Sequence, residues 1–276
     1  MIKHILVPTD GSDYAMLAVR YAAAFARPYG ATLHGLHVVD VRLLEGPFLR
    51  DISASLGTAP YVNYQGNMAM ILEERGKAAL EALSNACHDA GIRCETSQTT
   101  GTLARSIVER GELTDLIVMG RGGEHGEWLE GGIGSTTQAV VRRATRPVLV
   151  TGTAQPGHNL YVVAYDGSSH SKRALQFAAQ LCADWQAPLH VLSVGAERAV
   201  ASLEEARAYL DAHEIGVQYV QREGDPSERI VGYALECGAD LLVMGAYGHT
   251  KVRELVVGST TAYAMSHAPC PLLLTR

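Results

Sequence analysis

The chain has 276 residues, 47% hydrophobic and 19% charged, with a formal net charge of -6. At about 150 residues per domain this length allows two domains, each large enough for its own core, and an acidic balance without a basic run excludes non-specific nucleic-acid binding, which needs clustered Lys and Arg. Five scattered cysteines without a C-x-x-C pair signal neither a zinc site nor a disulfide framework, and no apolar run reaches membrane-spanning length, so a cytoplasmic protein is expected.

The first predicted strand, Ile5 to Thr9, ends in Asp10-Gly11-Ser12. The alanine-rich stretch Ala15 to Ala26 has apolar residues at helical spacing, with Ser12 available as its N-cap. A second strand over Ala31 to Val39, a helix at about 68–90, a third strand over Arg93–Gln98 and a helix over Ala104–Glu109 follow. The apolar run Asp115 to Met119 then reads as a buried parallel strand leading into Gly120-Arg121-Gly122-Gly123 and, after ten intervening residues, Gly134-Ser135-Thr136. A last helix runs into Val148-Leu149-Val150.

The same series then begins again. Tyr161 to Tyr165 ends in Asp166-Gly167-Ser168, followed by a helix at Ala174 to Ala183, a strand over Ala187 to Val194, a helix over Leu203–His213 and a strand over Val217–Arg222. A helix over Glu228–Glu236 leads to Asp240 to Met244, to Gly245-Ala246-Tyr247-Gly248 and, after nine intervening residues, to Gly258-Ser259-Thr260, before a final helix and the strand Leu272-Leu273-Leu274. Such an internal duplication of alternating strands and helices predicts two tandem α/β domains, each a parallel sheet covered on both faces. The breakers Gly152 to His158 divide domain 1, residues 1–151, from domain 2, residues 159–276. Domain 1 carries an insert at about 41–66 on the ligand side of its sheet, where Phe48, Leu49, Tyr61 and Tyr64 suit a folded-back cover.

The glycine-rich segments lie where open α/β sheets bind ligands, outside the carboxyl ends of the strands. Gly120, Gly123 and Gly134, like Gly245, Gly248 and Gly258, leave backbone N–H groups bare for a phosphate. Ser135, Thr136, Ser259 and Thr260 add hydroxyls at a helix start, whose dipole favours an anion. His249 or Lys251 is available to add charge on the connecting loop. Asp10 and Asp166 are placed to accept a ribose hydroxyl or an adenine amino group, although Asp-Gly-Ser also makes a turn and a helix cap without a ligand. Gly101-Thr102-Leu103 and Gly224-Asp225-Pro226 read chiefly as helix starts.

These residues resemble the universal stress protein family in a tandem, two-domain form. The motif Gly-x-x-Gly, nine residues, Gly-Ser/Thr is complete at Gly245, Gly248, Gly258 and Ser259, and Pro8-Thr9-Asp10-Gly11-Ser12 matches the family's opening motif. The resemblance implies a five-stranded parallel sheet of order 3-2-1-4-5 in each half. In the family's ATP-binding branch it implies a nucleotide, with or without Mg, across strands one and four; AMP or cyclic AMP are further ligands of this class. It also implies adenine contacts from the main chain at the end of the second strand, here Val39 and Val194, and pairing through the terminal strands about a pseudo-twofold axis, with a homodimer as a further step.

The two sites are not expected to be equal. The first repeat misses the family spacing by one residue, and its loop carries Arg121, Glu124, Glu127 and Glu130 against Lys251, Arg253 and Glu254 in the second. Stronger binding in the second half follows. No Walker pattern, H-x-x-x-H pair or Ser-His-Asp spacing signals catalysis or a metal. The expected function is therefore an adenine-nucleotide-binding stress-response module with at most slow hydrolysis. The alternatives are a nucleotide-free scaffold or an ATP-hydrolysing or adenylyl-transferring enzyme, although an acid stands where the latter's pyrophosphate loop needs donors.

Overall fold

The computed structural model describes residues 2–45, 60–123, 132–152, 156–246 and 258–276. Its first half runs β1 (His4–Pro8), α1 (Asp13–Tyr29), β2 (Thr32–Asp40), α2 (Val41–Glu45), α3 (Pro60–Asp89), β3 (Arg93–Gly101), α4 (Leu103–Gly111), β4 (Leu116–Met119), α5 (Ser135–Arg143) and β5 (Val148–Val150). The second half runs β6 (Tyr161–Ala164), α6 (Ser169–Trp185), β7 (Leu189–Val194), α7 (Glu197–Leu210), β8 (Val217–Arg222), α8 (Pro226–Glu236), β9 (Leu241–Gly245), α9 (Ser259–His267) and β10 (Leu272–Thr275).

Among the described residues ten strands form one sheet, in the order β3-β2-β1-β4-β5-β10-β9-β6-β7-β8. Each half has the expected 3-2-1-4-5 order, and the two orders are mirror images about the centre. There β5 and β10 pair antiparallel, with Leu149 opposite Leu273, Val150 opposite Leu272 and Val148 opposite Leu274. The terminal strands thus cover each other's edge, as expected, and leave no exposed apolar rim at the middle of the sheet.

Strand side chains alternate between two buried layers, which is why the central strands read as unbroken apolar runs. Ile5, Val7, Leu116 and Val118 face α1 and α3, and the same layer continues through Leu149, Leu273, Val163 and Val243 to α6. Leu6, Ile117, Met119 and Val148 face the opposite way with α4 and α5, and this layer continues through Leu272, Leu242 and Val162 to α8 and α9. Across the twofold, the Phe25 ring lies 4.7 Å from that of Trp185, and the Tyr29 hydroxyl donates to Asp184 at 2.7 Å.

Two helices differ from expectation. α3 begins at Pro60 rather than near 68, so the end of the predicted insert is helical; proline is tolerated in a first turn because its missing N–H has no intrahelical partner there. α7 begins at Glu197, after a turn in which Gly195 takes φ 134°, and ends at Leu210. Residues 46–59 of the insert, with Phe48 and Leu49, lie outside the described residues, and the side chains of Tyr61 and Tyr64 are likewise not described. No described helix is long and apolar enough to cross a membrane.

Candidate functional site

In each half the strand order reverses between the first and fourth strands, the switch point at whose carboxyl ends open α/β sheets offer a crevice to ligands. The last rungs on the β1–β2 and β6–β7 sides are Thr9 N to Leu36 O at 2.9 Å and Tyr165 N to Leu192 O at 2.8 Å. Pro8 closes β1, and the chain then turns through Gly11 at φ 82° and Gly167 at φ 78°, a left-handed conformation that favours glycine. Asp10 Oδ1 accepts from Ser12 N at 3.0 Å and Ser12 Oγ at 2.6 Å; Asp166 Oδ1 accepts from Ser168 N at 2.9 Å. Ser12 and Ser168 in turn cap α1 and α6, as expected, accepting from Ala15 N at 3.3 Å and Ser171 N at 3.2 Å. Both aspartates are exposed. The second carboxylate oxygen of Asp10 faces the tip of β4, where a Cβ added to Gly123 would lie 2.5 Å from it. The fold therefore brings Asp10 and Gly123 together.

The glycines have different physical roles. A Cβ at Gly120 would meet Tyr14 O at 2.8 Å, and one at Gly245 would meet the His170 carbonyl carbon at 2.9 Å and Ser171 N at 3.0 Å. The first turn of α1 or α6 fills that space, so these two glycines serve helix–strand packing. Gly134 and Gly258 are under no such constraint. They are the N-caps of α5 and α9 with φ/ψ of -56°/140° and -57°/147°, open to any residue, and their nearest described neighbours to an added Cβ are 3.5 and 3.9 Å away. Neither helix has a side-chain cap, nor do α4 and α7, whereas α1, α6 and α8 do. The first turns of α5 and α9, whose leading N–H groups have no intrahelical partner, carry exposed Ser135 and Ser259 and half-buried Thr136 and Thr260.

Residues that motif reading passed over fix these helix starts. Buried Thr137 donates Oγ1–H to Gly120 O at 2.9 Å, and buried Thr261 lies with Oγ1 3.1 Å from Ala246 O and 3.3 Å from Gly245 O. The repeated Gly-Ser-Thr-Thr in both halves was the available signal. Gly248, His249 and Lys251, with the acidic residues of the first loop, lie outside the described residues.

Two expectations change, and that for Asp225 holds. Arg121, counted as loop charge, donates to Ala268 O at 2.9 Å and Ser266 O at 3.4 Å in the other half, and burial lowers its pKa. Val39 is one residue out of step with Val194. Gly195 N donates to Arg222 O on the outer side, so Val194 turns its peptide group to the crevice, and the register makes Val38 its counterpart. Asp225 accepts from Ser227 N at 2.9 Å and Glu228 N at 3.3 Å as the N-cap of α8, the helix-start role.

The halves also differ beside the aspartates. Tyr165 donates its hydroxyl to Glu205 Oε2 at 2.7 Å, and Lys172 pairs with Glu205 at 2.5 Å. Lys172 and Tyr165 hold the Glu205 pKa below its usual value, while burial first and Glu205 second push that of the Tyr165 hydroxyl up. In the first half Thr9 replaces Tyr165, Met16 replaces Lys172, and Ala79 packs at Gly11, 3.2 Å from an added Cβ. There His37 donates Nδ1–H to Thr9 O at 2.9 Å.

One sheet of two mirrored halves, each with an aspartate at one strand tip and a glycine-led helix at the next, defines a doubly wound α/β protein. The chain belongs to the universal stress protein family, whose model matches residues 1–152, 161–211 and 195–276. It is 31% identical over 289 aligned residues, the full length of both chains, to a universal stress protein of Synechocystis sp.. The crystal structure of a universal stress protein from Archaeoglobus fulgidus shares the fold, with a TM-score of 0.78 at 22% identity, covering 99% of this chain and 96% of that one. A universal stress protein solved in complex with cAMP is 28% identical, with 43% of this chain and 97% of that chain covered and a TM-score of 0.39.

Proposed function

We propose that this universal stress protein binds an adenine nucleotide, ATP foremost, at the strand tips of both halves and acts as a nucleotide-dependent regulatory module with at most slow hydrolysis. The observation that carries this reading is the pair of N-cap glycines, Gly134 and Gly258. Neither backbone angles nor described neighbours require glycine there, and both helices forgo the side-chain cap that Ser, Asp or Asn would provide. An anion arriving at those N–H groups makes sense of both features. Asp10 and Asp166 then take the sugar or base, and the crevice-facing peptide groups of Val38 and Val194 flank the base. A family member in complex with cAMP supports an adenine ligand at the level of the family.

The second half is the tighter site. With Arg121 committed to α9, the first loop is left with Glu124, Glu127 and Glu130, against a net positive Lys251, Arg253 and Glu254. Each unit charge about 8 Å from a phosphate in water is worth ~0.5 kcal/mol, so four charges give roughly 2 kcal/mol, about thirtyfold in affinity before screening. Glu205 does not reverse this, because Lys172 neutralises it. The unbridged cysteines suit a cytoplasmic setting.

A ligand-free scaffold is the second reading, favoured by the packing role of Gly120 and Gly245 and by the turn and cap role of Asp-Gly-Ser. Native mass spectrometry of freshly purified protein separates the two, backed by calorimetric titration with ATP. A co-purified or titratable nucleotide supports the first; an empty protein that releases no heat with millimolar ATP supports the second.

A further inference from the structure

Each glycine-led helix is gripped at its far end by an arginine of the other half. Arg121 stands directly after Gly120 at the tip of β4, and its guanidinium crosses to the carbonyls of Ser266 and Ala268, where α9 ends. Arg276 directly follows β10, whose last residue Thr275 accepts from Ala246 N at 2.8 Å in the second glycine motif. Its Nη1 lies 3.5 Å from Arg142 O and 3.4 Å from Arg143 O, where α5 ends. A cation on the last carbonyls of a helix is favoured by the dipole and by charge-assisted hydrogen bonding. The Arg121 grip is the closer one, it is half-buried, and it arises within the first crevice's own motif. α9 has only nine residues, about 13 Å of helix, so a displacement at Ala268 is transmitted to Gly258 at its other end.

We propose that Arg121 is a positioning residue that couples the two crevices, so that filling the first changes the affinity of the second through α9. This rests on the nucleotide reading above. Coupling of this kind typically amounts to 5- to 150-fold. The path is physical and short: Gly120 N-terminal to Arg121, the guanidinium, the two carbonyls, and a helix whose opposite end carries Gly258, Ser259 and Thr260.

The test is a cycle in the full chain, read at the second site by the amide resonances of Gly258 to Thr260 during ATP titration. Gly134→Asp disables the first crevice by capping α5 internally and repelling phosphate. It is expected to change the second site's Kd at least fivefold when Arg121 is present and less than twofold in the Arg121→Met background, with Arg121→Lys between. An equal factor in both backgrounds, or no effect with Arg121 present, overturns the coupling. Amide exchange without nucleotide tests the mechanical link alone. Ala262 N donates to Gly258 O at 2.8 Å, and Gln138 N donates to Gly134 O at 3.1 Å at the equivalent place in α5. Arg121→Met is expected to speed exchange at Ala262 at least tenfold over Gln138; equal rates overturn the link. Absence of ATP binding by the unsubstituted protein, with the exchange difference intact, overturns the nucleotide reading and leaves the link standing.

Discussion

The two halves share a strand order, a turn and a helix start, yet they seal the strand tips differently. In the second half Tyr165, Glu205 and Lys172 form a polar bridge between β6, α7 and α6. In the first, Thr9, Ala79 and Met16, none of them charged, stand in the same place; both halves send an arginine across the twofold, Arg121 the closer of the two. What stays constant is the backbone geometry of the strand tips and helix starts. What varies is the charge and bulk of the side chains around them, to which the proposed nucleotide reading assigns the difference in affinity. Duplication thus preserves backbone chemistry while side chains make the copies unequal.

The largest effect that bears on this comparison is expected from the packing glycines. Gly120→Ala and Gly245→Ala each push a Cβ to within 3 Å of the first-turn backbone of α1 or α6, and overpacking of this kind costs about 2–3 kcal/mol. Urea unfolding should show similar losses for both; a cost below about 0.5 kcal/mol at either site would break the equivalence of the two strand tips.

The N-cap glycines should behave in the opposite way. Gly258→Asp and Gly134→Asp add a cap where a Cβ has room, so stability should hold or rise by a few tenths of a kcal/mol. ATP affinity at the substituted half should fall at least tenfold, a loss of about 1.4 kcal/mol. The loss of tight binding should be greater for Gly258→Asp. Calorimetry in which both variants bind ATP as the unsubstituted protein does would remove the anion role from both crevices.

A smaller effect is expected from the bridge that only the second half has. Tyr165→Phe should cost about 1 kcal/mol, the usual worth of a hydrogen bond to a charged partner after allowance for its half-exposed acceptor. Its pH dependence follows from Glu205, whose folded pKa lies below its unfolded value because of Lys172 and then Tyr165. The contribution is complete above the ordinary glutamate range and is lost as pH falls through the folded pKa. The stability difference between the protein and Tyr165→Phe should therefore shrink on going from neutral to acid pH. A difference that grows in acid would remove Glu205 from the bridge.

Much of this was legible in the chain because it is local. Apolar runs bounded by Asp-Gly-Ser and Gly-Ser-Thr announced the strands and helix starts; Ser12, Ser168 and Asp225 cap as their positions imply; and the apolar terminal strands required a partner, which each finds in the other. The features that escaped depend on tertiary placement. Gly120 looks like Gly134 in a motif, and only the nearness of Tyr14 separates packing from ligand space. Arg121 counts as loop charge until α9 is folded against it. Val39 is out of register with Val194 by one residue, which in a strand turns the peptide to the opposite neighbour. Tyr165, Glu205 and Lys172 come from three elements and share no sequence pattern.

The most direct test is an ATP titration followed by amide resonances in the full-length chain. Saturable shifts are expected at Gly134 to Thr136 and at Gly258 to Thr260, with the second set saturating at lower ATP and adenosine moving neither as far. Resonances of both helix starts that stay unmoved at millimolar ATP would contradict an anion site at the uncapped helices.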